Sequence, residues 1–328
     1  MNLSKLKNKK ILVTGGAGFI GSNLCEFLIN HGSIVSCLDN LSNGSLENIN
    51  HLFESDKFNF IEGDIRDLET CIKCCKKIDY VLHQAALGSV PRSISDPLTT
   101  NDVNISGFLN MLIASRDNNV KRFIYAASSS TYGDSLEIPK QEDKIGKQLS
   151  PYAISKYCNE LYAENFTNLY GIQTIGIRYF NVFGKRQSPY GEYSAVIPIF
   201  INSFLKKKSP IINGDGKISR DFTYIDNVIE MNILSILTED PNAVNQIYNC
   251  GFGESTTLTE LAETIKKILT TYDKKIKEVE IIYGPPRKGD IQHSLAMIDK
   301  AKLKLGYSPK YSLKKGLKKS ISWYINNI

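Results

Sequence analysis

Tyr152 and Lys156 stand four residues apart in the run Pro151-Tyr152-Ala153-Ile154-Ser155-Lys156. On a helix that spacing puts both side chains on one face, one turn apart. A phenol ordinarily titrates near pKa ~10, too high for a base at neutral pH. A nearby ammonium favours the phenolate and moves it toward the working range. Tyrosine and lysine at helical spacing also arise by chance, so the pair needs a reaction partner before it implies chemistry.

That partner is written upstream, in Thr14-Gly15-Gly16-Ala17-Gly18-Phe19-Ile20-Gly21. The run follows a short aliphatic stretch and opens a helical pattern, the context of a dinucleotide loop. Gly15, Gly18 and Gly21 allow a tight turn, close backbone approach to a pyrophosphate, and close packing of helix on sheet. The helix start offers unpaired N–H groups to the phosphates. Asp39 closes the next apolar run, where a carboxylate accepts from ribose hydroxyls and repels the extra phosphate of NADP. NAD is therefore the expected cofactor. Asp64 and Ile65, after a third run, are placed to meet adenine. Gln84, Ala85 and Ala86, after a fourth, are placed beneath the pyrophosphate and nicotinamide ribose. Strand-end packing accounts for Ala85 and Ala86 equally well.

These residues must be held by alternating strands and helices. Apolar runs predict strands at Lys10–Thr14 and at residues 34–38, 58–61, 80–82, 123–127 and 172–180. Helices are expected at Phe19–Asn30, with Leu24 and Leu28 on its core face and Gly32 as its stop, and at residues 103–116. The alternation predicts an α/β fold, a Rossmann-type doubly wound parallel sheet. Ser150 and Pro151 supply an N-cap and a first helical residue for the helix bearing Tyr152. After Gly184 the alternation weakens. Residues 1–184 read as the cofactor domain and 185–328 mainly as a smaller mixed α/β substrate lobe. Segments around 220–250 are expected to rejoin the sheet, among them residues 246–249. Residues 313–328, with Trp323, read as a closing amphipathic helix. Neither internal repeats nor low-complexity stretches are present.

Composition narrows the class. A chain of 328 residues with 42% hydrophobic content suits one large or two ordinary globular domains. No apolar run approaches the ~20 residues of a membrane span. Residues 1–10 are polar and basic and lead straight into Ile11-Leu12-Val13, so no signal peptide is read and a cytoplasmic location is expected. The net charge of +6 sits in lysine-rich stretches at 206–208, 274–277 and 314–319, read as solvated faces rather than a nucleic-acid platform. Neither the seven cysteines nor the four histidines show metal-ligand spacing, and no metal is expected.

Together, residues 15–21, Asp64, His83 to Ala86, Ser128, Tyr152, Lys156 and Arg178-Tyr179-Phe180-Asn181 resemble the extended short-chain dehydrogenases. More narrowly, the chain is similar to nucleotide-sugar 4-epimerases. The run from Ala86 to Ser93 and the triple Ser128-Ser129-Ser130 resemble the UDP-N-acetylglucosamine 4-epimerases of bacterial surface-polysaccharide pathways, the O-antigen and Vi type. The resemblance implies a transient oxidation. Tyr152 takes the proton of the sugar 4-hydroxyl while the hydride of carbon 4 passes to NAD. Lys156 holds the nicotinamide ribose and lowers the Tyr152 pKa, and Ser128 binds the 4-oxygen. The 4-keto sugar turns over and takes the hydride back on its other face.

The same resemblance assigns Phe19, Ile20, Asn40, Asn104, Tyr179 and Val182 to the cofactor as well. For the UDP-sugar it implies Gly88, Ser89, Ser129, Ser130 and Asn181, then Ala195, Val196, Ile197 and Asn213, and finally Arg220, Arg287, Asp290 and Ser294. Ser129 and Ser130 stand where related dehydratases and decarboxylases carry carboxylates, so 4-epimerisation is expected. Ser294 matches a gate beside the sugar's 2-substituent, and a small residue there implies UDP-GlcNAc and UDP-GalNAc. Ser89 and Ser129 would bind the amide. The corresponding uronic acids, with Arg92 as carboxylate partner, and UDP-Glc with UDP-Gal are the alternatives. A non-catalytic cofactor sensor is the reading from another class. A homodimer is expected through a four-helix bundle of residues 103–116 and 152–170.

Overall fold

The computed structural model describes residues 2–190, 194–286 and 291–327. Its centre is a seven-stranded parallel sheet. In chain order the strands are β1 (Lys10–Thr14), β2 (Ile34–Asp39), β3 (Phe58–Glu62), β4 (Tyr80–His83), β5 (Arg122–Ser128), β6 (Gln173–Tyr179) and a last one, Gln246–Cys250. Across the sheet they run Gln246–Cys250, β6, β5, β4, β1, β2, β3. This is the doubly wound Rossmann-type fold that the alternation predicts. The order reverses between β1 and β4, where open parallel sheets bind their ligands.

Residue alternation along each strand feeds two cores. Ile11 and Val13 of β1 join Leu24 and Leu28 of α1 (Phe19–Asn30) on one face. Leu12 joins Cys71, Cys74 and Cys75 of the helix Leu68–Cys75 on the other, with Phe108 and Met111. The three cysteines therefore serve as small apolar side chains at i, i+3 and i+4 of one helix face.

The helix Pro151–Tyr170 starts as expected. Ser150 Oγ accepts from Ala153 N at 3.1 Å, a cap worth ~1 kcal/mol. Gly171, at φ 71°, ends it in the left-handed conformation.

Residues 103–116 are helical as expected, but the winding is uneven. The chain builds Pro97–Asn101, then one wide π-helical turn at Asp102–Ser106, then Gly107–Asp117. Asn104 points inward from the wide turn. Its Oδ1 accepts from Leu87 N at 2.8 Å, and its Nδ2 donates to Leu87 O at 3.2 Å and Ser155 Oγ at 3.1 Å. That tertiary anchor overrides the 3.6-residue period.

Beyond the sheet, Val196–Leu205 and Leu258–Leu269 stand with two small sheets. Ile211–Asn213 pairs with Ile282–Gly284. Ser219–Arg220 lies between Thr256–Thr257 and His293–Ser294. Asp221, fully buried, accepts from Phe252 N, Gly253 N and Ala296 N at 2.8, 2.9 and 3.3 Å. Those bonds pin three segments behind Arg220, although burial still pushes the Asp221 carboxyl up to about 6. The closing helix Leu313–Asn327 buries Leu317 and Ile321, and its Tyr324 hydroxyl donates to Gly184 O at 2.9 Å. Among the described residues no helix is long and apolar enough to cross a membrane.

Candidate active site

Two adjoining cavities open at the carboxyl ends of the strands. The first, of about 380 Å³, is lined by Gly15, Gly18, Phe19, Ile20, Gly21, Asp39, Asn40, Asp64 and Ile65, and by Gln84, Ala85, Ala86 and Gly88. The second, of about 620 Å³, shares Phe19, Ile20, Gln84, Ala86 and Gly88 with it and adds Ser128, Ser129, Tyr152, Lys156, Tyr179, Asn181 and Val182. Its far side carries Ala195, Val196, Ile197, Asn213 and Arg220.

The first cavity fits a dinucleotide. Gly15, at φ 65°, lies so close to the next strand end that a Cβ would stand 2.7 Å from Ala85 N. No side chain caps α1, which leaves its first N–H groups for an anion. Asp39 accepts from Ala17 N at 2.9 Å and Leu41 N at 2.8 Å, so it holds the loop while its carboxylate still borders the cavity. Asn40 donates to Asp64 Oδ2 at 2.9 Å. The Arg66 guanidinium beside Asp64 holds that carboxyl down at about 2. Below the loop, Thr14 Oγ1 lies 2.8 Å from His83 Nδ1 and accepts from Ala85 N. Burial keeps His83 neutral, pushed down to about 3.

The second cavity brings the reactive residues together. Tyr152 and Ser128 line it together, and the Ser128 hydroxyl is near enough to favour the Tyr152 phenolate. Ser128 Oγ accepts from Ser130 N at 3.1 Å and Ser130 Oγ at 2.9 Å. Lys156, 2% exposed, donates to Ala126 O at 2.8 Å. Tyr179 donates to Gln84 Oε1 at 3.1 Å and shares a hydrogen bond with Asn232.

Burial dominates the electrostatics of the pair in the protein alone. It raises Tyr152 above its ordinary value, and the neighbouring Ser128 hydroxyl pulls the other way. The same desolvation pushes Lys156 itself down to about 8. In each case the charged form loses its water, and that is the largest effect on the group.

Several expected residues stand outside both cavities. Asn104 reaches the cofactor side indirectly, by holding Leu87. Ser89 caps the helix Val90–Ser95 by accepting from Arg92 N at 3.2 Å. Ser130 stands behind Ser128. Ser294 pairs in register with Arg220 and does not line the cavity itself. Arg92 donates to Asn43 Oδ1 at 3.1 Å, on the cofactor side. Arg287 and Asp290 lie outside the described residues.

The structure adds residues that the motifs did not flag. Ser42, Asn43 and Gly44 border the first cavity; their run was legible only as a turn. Gln187 borders the second. Its Nε2 donates to Val182 O at 3.0 Å, and its buried Oε1 has no hydrogen-bond partner among the described residues. No spacing rule marks such a loop glutamine.

Comparison with known proteins identifies the family. The profile of the NAD dependent epimerase/dehydratase family matches residues 11–251. A putative UDP-glucose 4-epimerase of Methanocaldococcus jannaschii is 39% identical over 319 residues, 97% of this chain and 99% of its own. The solved UDP-N-acetylglucosamine 4-epimerase of Methanobrevibacter ruminantium M1, in complex with UDP-N-acetylmuramic acid, superposes with a TM-score of 0.91 at 38% identity, covering 98% of this chain and 100% of that one. The UDP-glucuronic acid 4-epimerase of Bacillus cereus, solved with UDP-glucuronic acid and NAD, gives 0.86 at 30% identity over 97% of this chain and 100% of that one. NAD is the cofactor that the first cavity serves. By profile, fold and site, the chain belongs to the NAD dependent epimerase/dehydratase family.

Proposed function

We propose that this chain is an NAD-dependent 4-epimerase of UDP-sugars that interconverts UDP-GlcNAc and UDP-GalNAc. The observation that carries the reaction type is the lining of the second cavity. Tyr152, Ser128 and Lys156 converge there, and among the described residues no carboxylate and no thiol joins them. Dehydration and decarboxylation each need a further acid–base group at the sugar, whereas 4-epimerisation needs only one hydroxyl deprotonated and reprotonated.

When bound, NAD supplies the acceptor and later the donor of the hydride at carbon 4. Tyr152 takes the 4-hydroxyl proton and returns it. Ser128, beside Tyr152 in the same cavity, holds the 4-oxygen through the turnover. Lys156, fixed on Ala126 O, keeps a cation behind the phenol. Arg220 and Asn181 serve the diphosphate, and the wall of Ala195, Val196 and Ile197 serves the uridine. Arg287 and Asp290 are proposed for the same end of the substrate.

Two features support the N-acetylated sugar. Ser129 offers a hydroxyl inside the cavity. Ser294, one register step across from Arg220, sends no bulk into it. A uronic acid is supported less, because the lining cations among the described residues are Lys156 and Arg220, both already assigned.

Incubating the purified protein separately with UDP-GlcNAc, UDP-Glc and their uronic forms, with NMR detection of the 4-epimer, tests both levels. UDP-GlcNAc should turn over fastest. Equal or better conversion of UDP-Glc overturns the N-acetyl preference. Carbon dioxide or a lasting 4-keto-6-deoxy sugar overturns the epimerase.

A homodimer is part of the same proposal. On the helix Pro151–Tyr170 the residues Ile154, Leu161, Tyr162 and Leu169 form an exposed apolar stripe at helical spacing. A second copy of this helix and of Gly107–Asp117 would cover it as a four-helix bundle. Sedimentation equilibrium should read two chains, and a monomer at micromolar concentration removes the dimer. All seven cysteines are free thiols, which accords with a reducing cytoplasm.

A further inference from the structure

Glu160 stands one turn beyond Lys156 and two beyond Tyr152, on the same helix face. It is 4% exposed. Both its oxygens accept from Arg178 of β6, one from Nε and one from Nη2, each at 2.8 Å. Such a bidentate pair fixes geometry as well as charge. The third nitrogen, Nη1, donates to Glu142 O at 2.9 Å. Over the guanidinium, 4.8 Å from its carbon, lies the Tyr132 ring. Tyr132 closes the turn that begins at Ser129, and its hydroxyl donates to Asn249 Oδ1 at 2.5 Å. One buried pair thus touches the helix of Tyr152 and Lys156, the turn after Ser128, and the strand of Tyr179.

We propose that the Glu160–Arg178 pair is a positioning device for turnover. It fixes Tyr152 against Ser128 and gives Lys156 the carboxylate neighbour that keeps it an ammonium. The inference rests on the epimerase reading of this site. Net stability is a poor reason for such a pair, because desolvating both ions cancels most of their attraction. Lys156 faces Glu160 on its own helix and His83 from β4, which burial keeps neutral. Around the pair stand Tyr125 from β5 and Tyr132 of the turn, both held neutral by burial, and Glu164 further along the helix. The Glu142 carboxyl and the Lys300 ammonium also face Arg178. Burial pushes Lys156 down and Glu160 opposes it. Removing the Glu160 charge therefore lowers Lys156 further, and the alkaline limb of the rate profile moves to lower pH.

The test compares Glu160→Gln and the double variant Glu160→Met, Arg178→Met with the parent, all loaded with NAD. The double variant removes both charges at once and is the one expected to fold well. UDP affinity and KM should stay within about twofold, and kcat should fall about 10- to 100-fold. The alkaline limb should move down in pH. A folded variant with parental kcat and an unmoved limb overturns the proposal. So does an equal loss in UDP affinity, or failure of both variants to fold, since the pair would then hold the whole fold rather than the site. If the parent turns over no UDP-sugar, the functional reading fails by itself. The inference is then read from the NMR titration of the Lys156 side chain, identified by its loss in Lys156→Met. Its midpoint should fall in Glu160→Gln, and an unchanged midpoint overturns the proposal.

Discussion

The Tyr152→Phe variant is expected to fold, to bind NAD and UDP as the parent does, and to lose turnover by about 100- to 10,000-fold. Phenylalanine keeps the ring that packs at the helix start and deletes one hydroxyl. The lost hydroxyl has Ser128 as its neighbour, and losing such a contact costs at most about 1 kcal/mol of stability. Ser128 keeps its bonds from Ser130, so the turn stays in place. What disappears is the group that removes the proton. Because burial raises the Tyr152 phenol, its base form gains population as pH rises, and the parental rate should climb on the alkaline side of neutrality until Lys156 loses its proton. Calorimetry with UDP beside a turnover assay separates the outcomes. Turnover within about tenfold of the parent would move the base role to another group. Unchanged biological output without turnover would favour a cofactor sensor.

The sheet was legible because its period is simple. Lys10–Thr14 and Phe19–Asn30 have the bounds expected from apolar spacing and a glycine-flanked start. The other predicted strands shift by a residue or two, where a side chain's face depends on the neighbouring strand. The wide turn at Asp102–Ser106 was not legible. It exists because Asn104 reaches the backbone of Leu87. Nothing in the local pattern distinguishes an inward asparagine from an outward one.

The site shows the same division. Residues at strand ends were found, since the ends of β1, β2, β4 and β5 must meet at the switch point. Tyr152 and Lys156 stand in one cavity, as helix spacing predicts, and Ser128, to which only the resemblance pointed, lines it with them. Hydroxyls were harder to read. Ser89 carries a plausible ligand group, but a serine before Val90-Pro91 is also a helix cap, and here it caps. Burial depth is a tertiary quantity that no spacing displays, and it raises the Tyr152 phenol in the protein alone.

Gly21→Ala is expected to weaken NAD binding by about 10- to 100-fold and to lower stability by about 1–3 kcal/mol. Gly21 lies inside α1 with ordinary helical backbone, so backbone strain plays no part. Alanine would gain about 1 kcal/mol of helix propensity there. Against that gain, a Cβ at Gly21 would stand 2.1 Å from Gly15 O, 2.7 Å from Gly16 Cα and 2.8 Å from Gly15 C. All three are backbone atoms, and none can rotate away. The loop cannot retreat either. Gly15 N is bonded to Leu38 O at 2.8 Å, and the space beside Gly15 is closed by Ala85, which a Cβ there would meet at 2.7 Å. The helix must therefore shift outward, taking its N–H groups away from the pyrophosphate. Gly18→Ala gives the contrast, because its Cβ would meet only Gly15 O, at 3.2 Å. In the NAD-free protein Gly18→Ala should melt close to the parent and Gly21→Ala well below it. Should Gly21→Ala melt with the parent and bind NAD as tightly, close packing of helix on loop does not set cofactor affinity here. The anchoring would then lie at Asp39 and the strand ends.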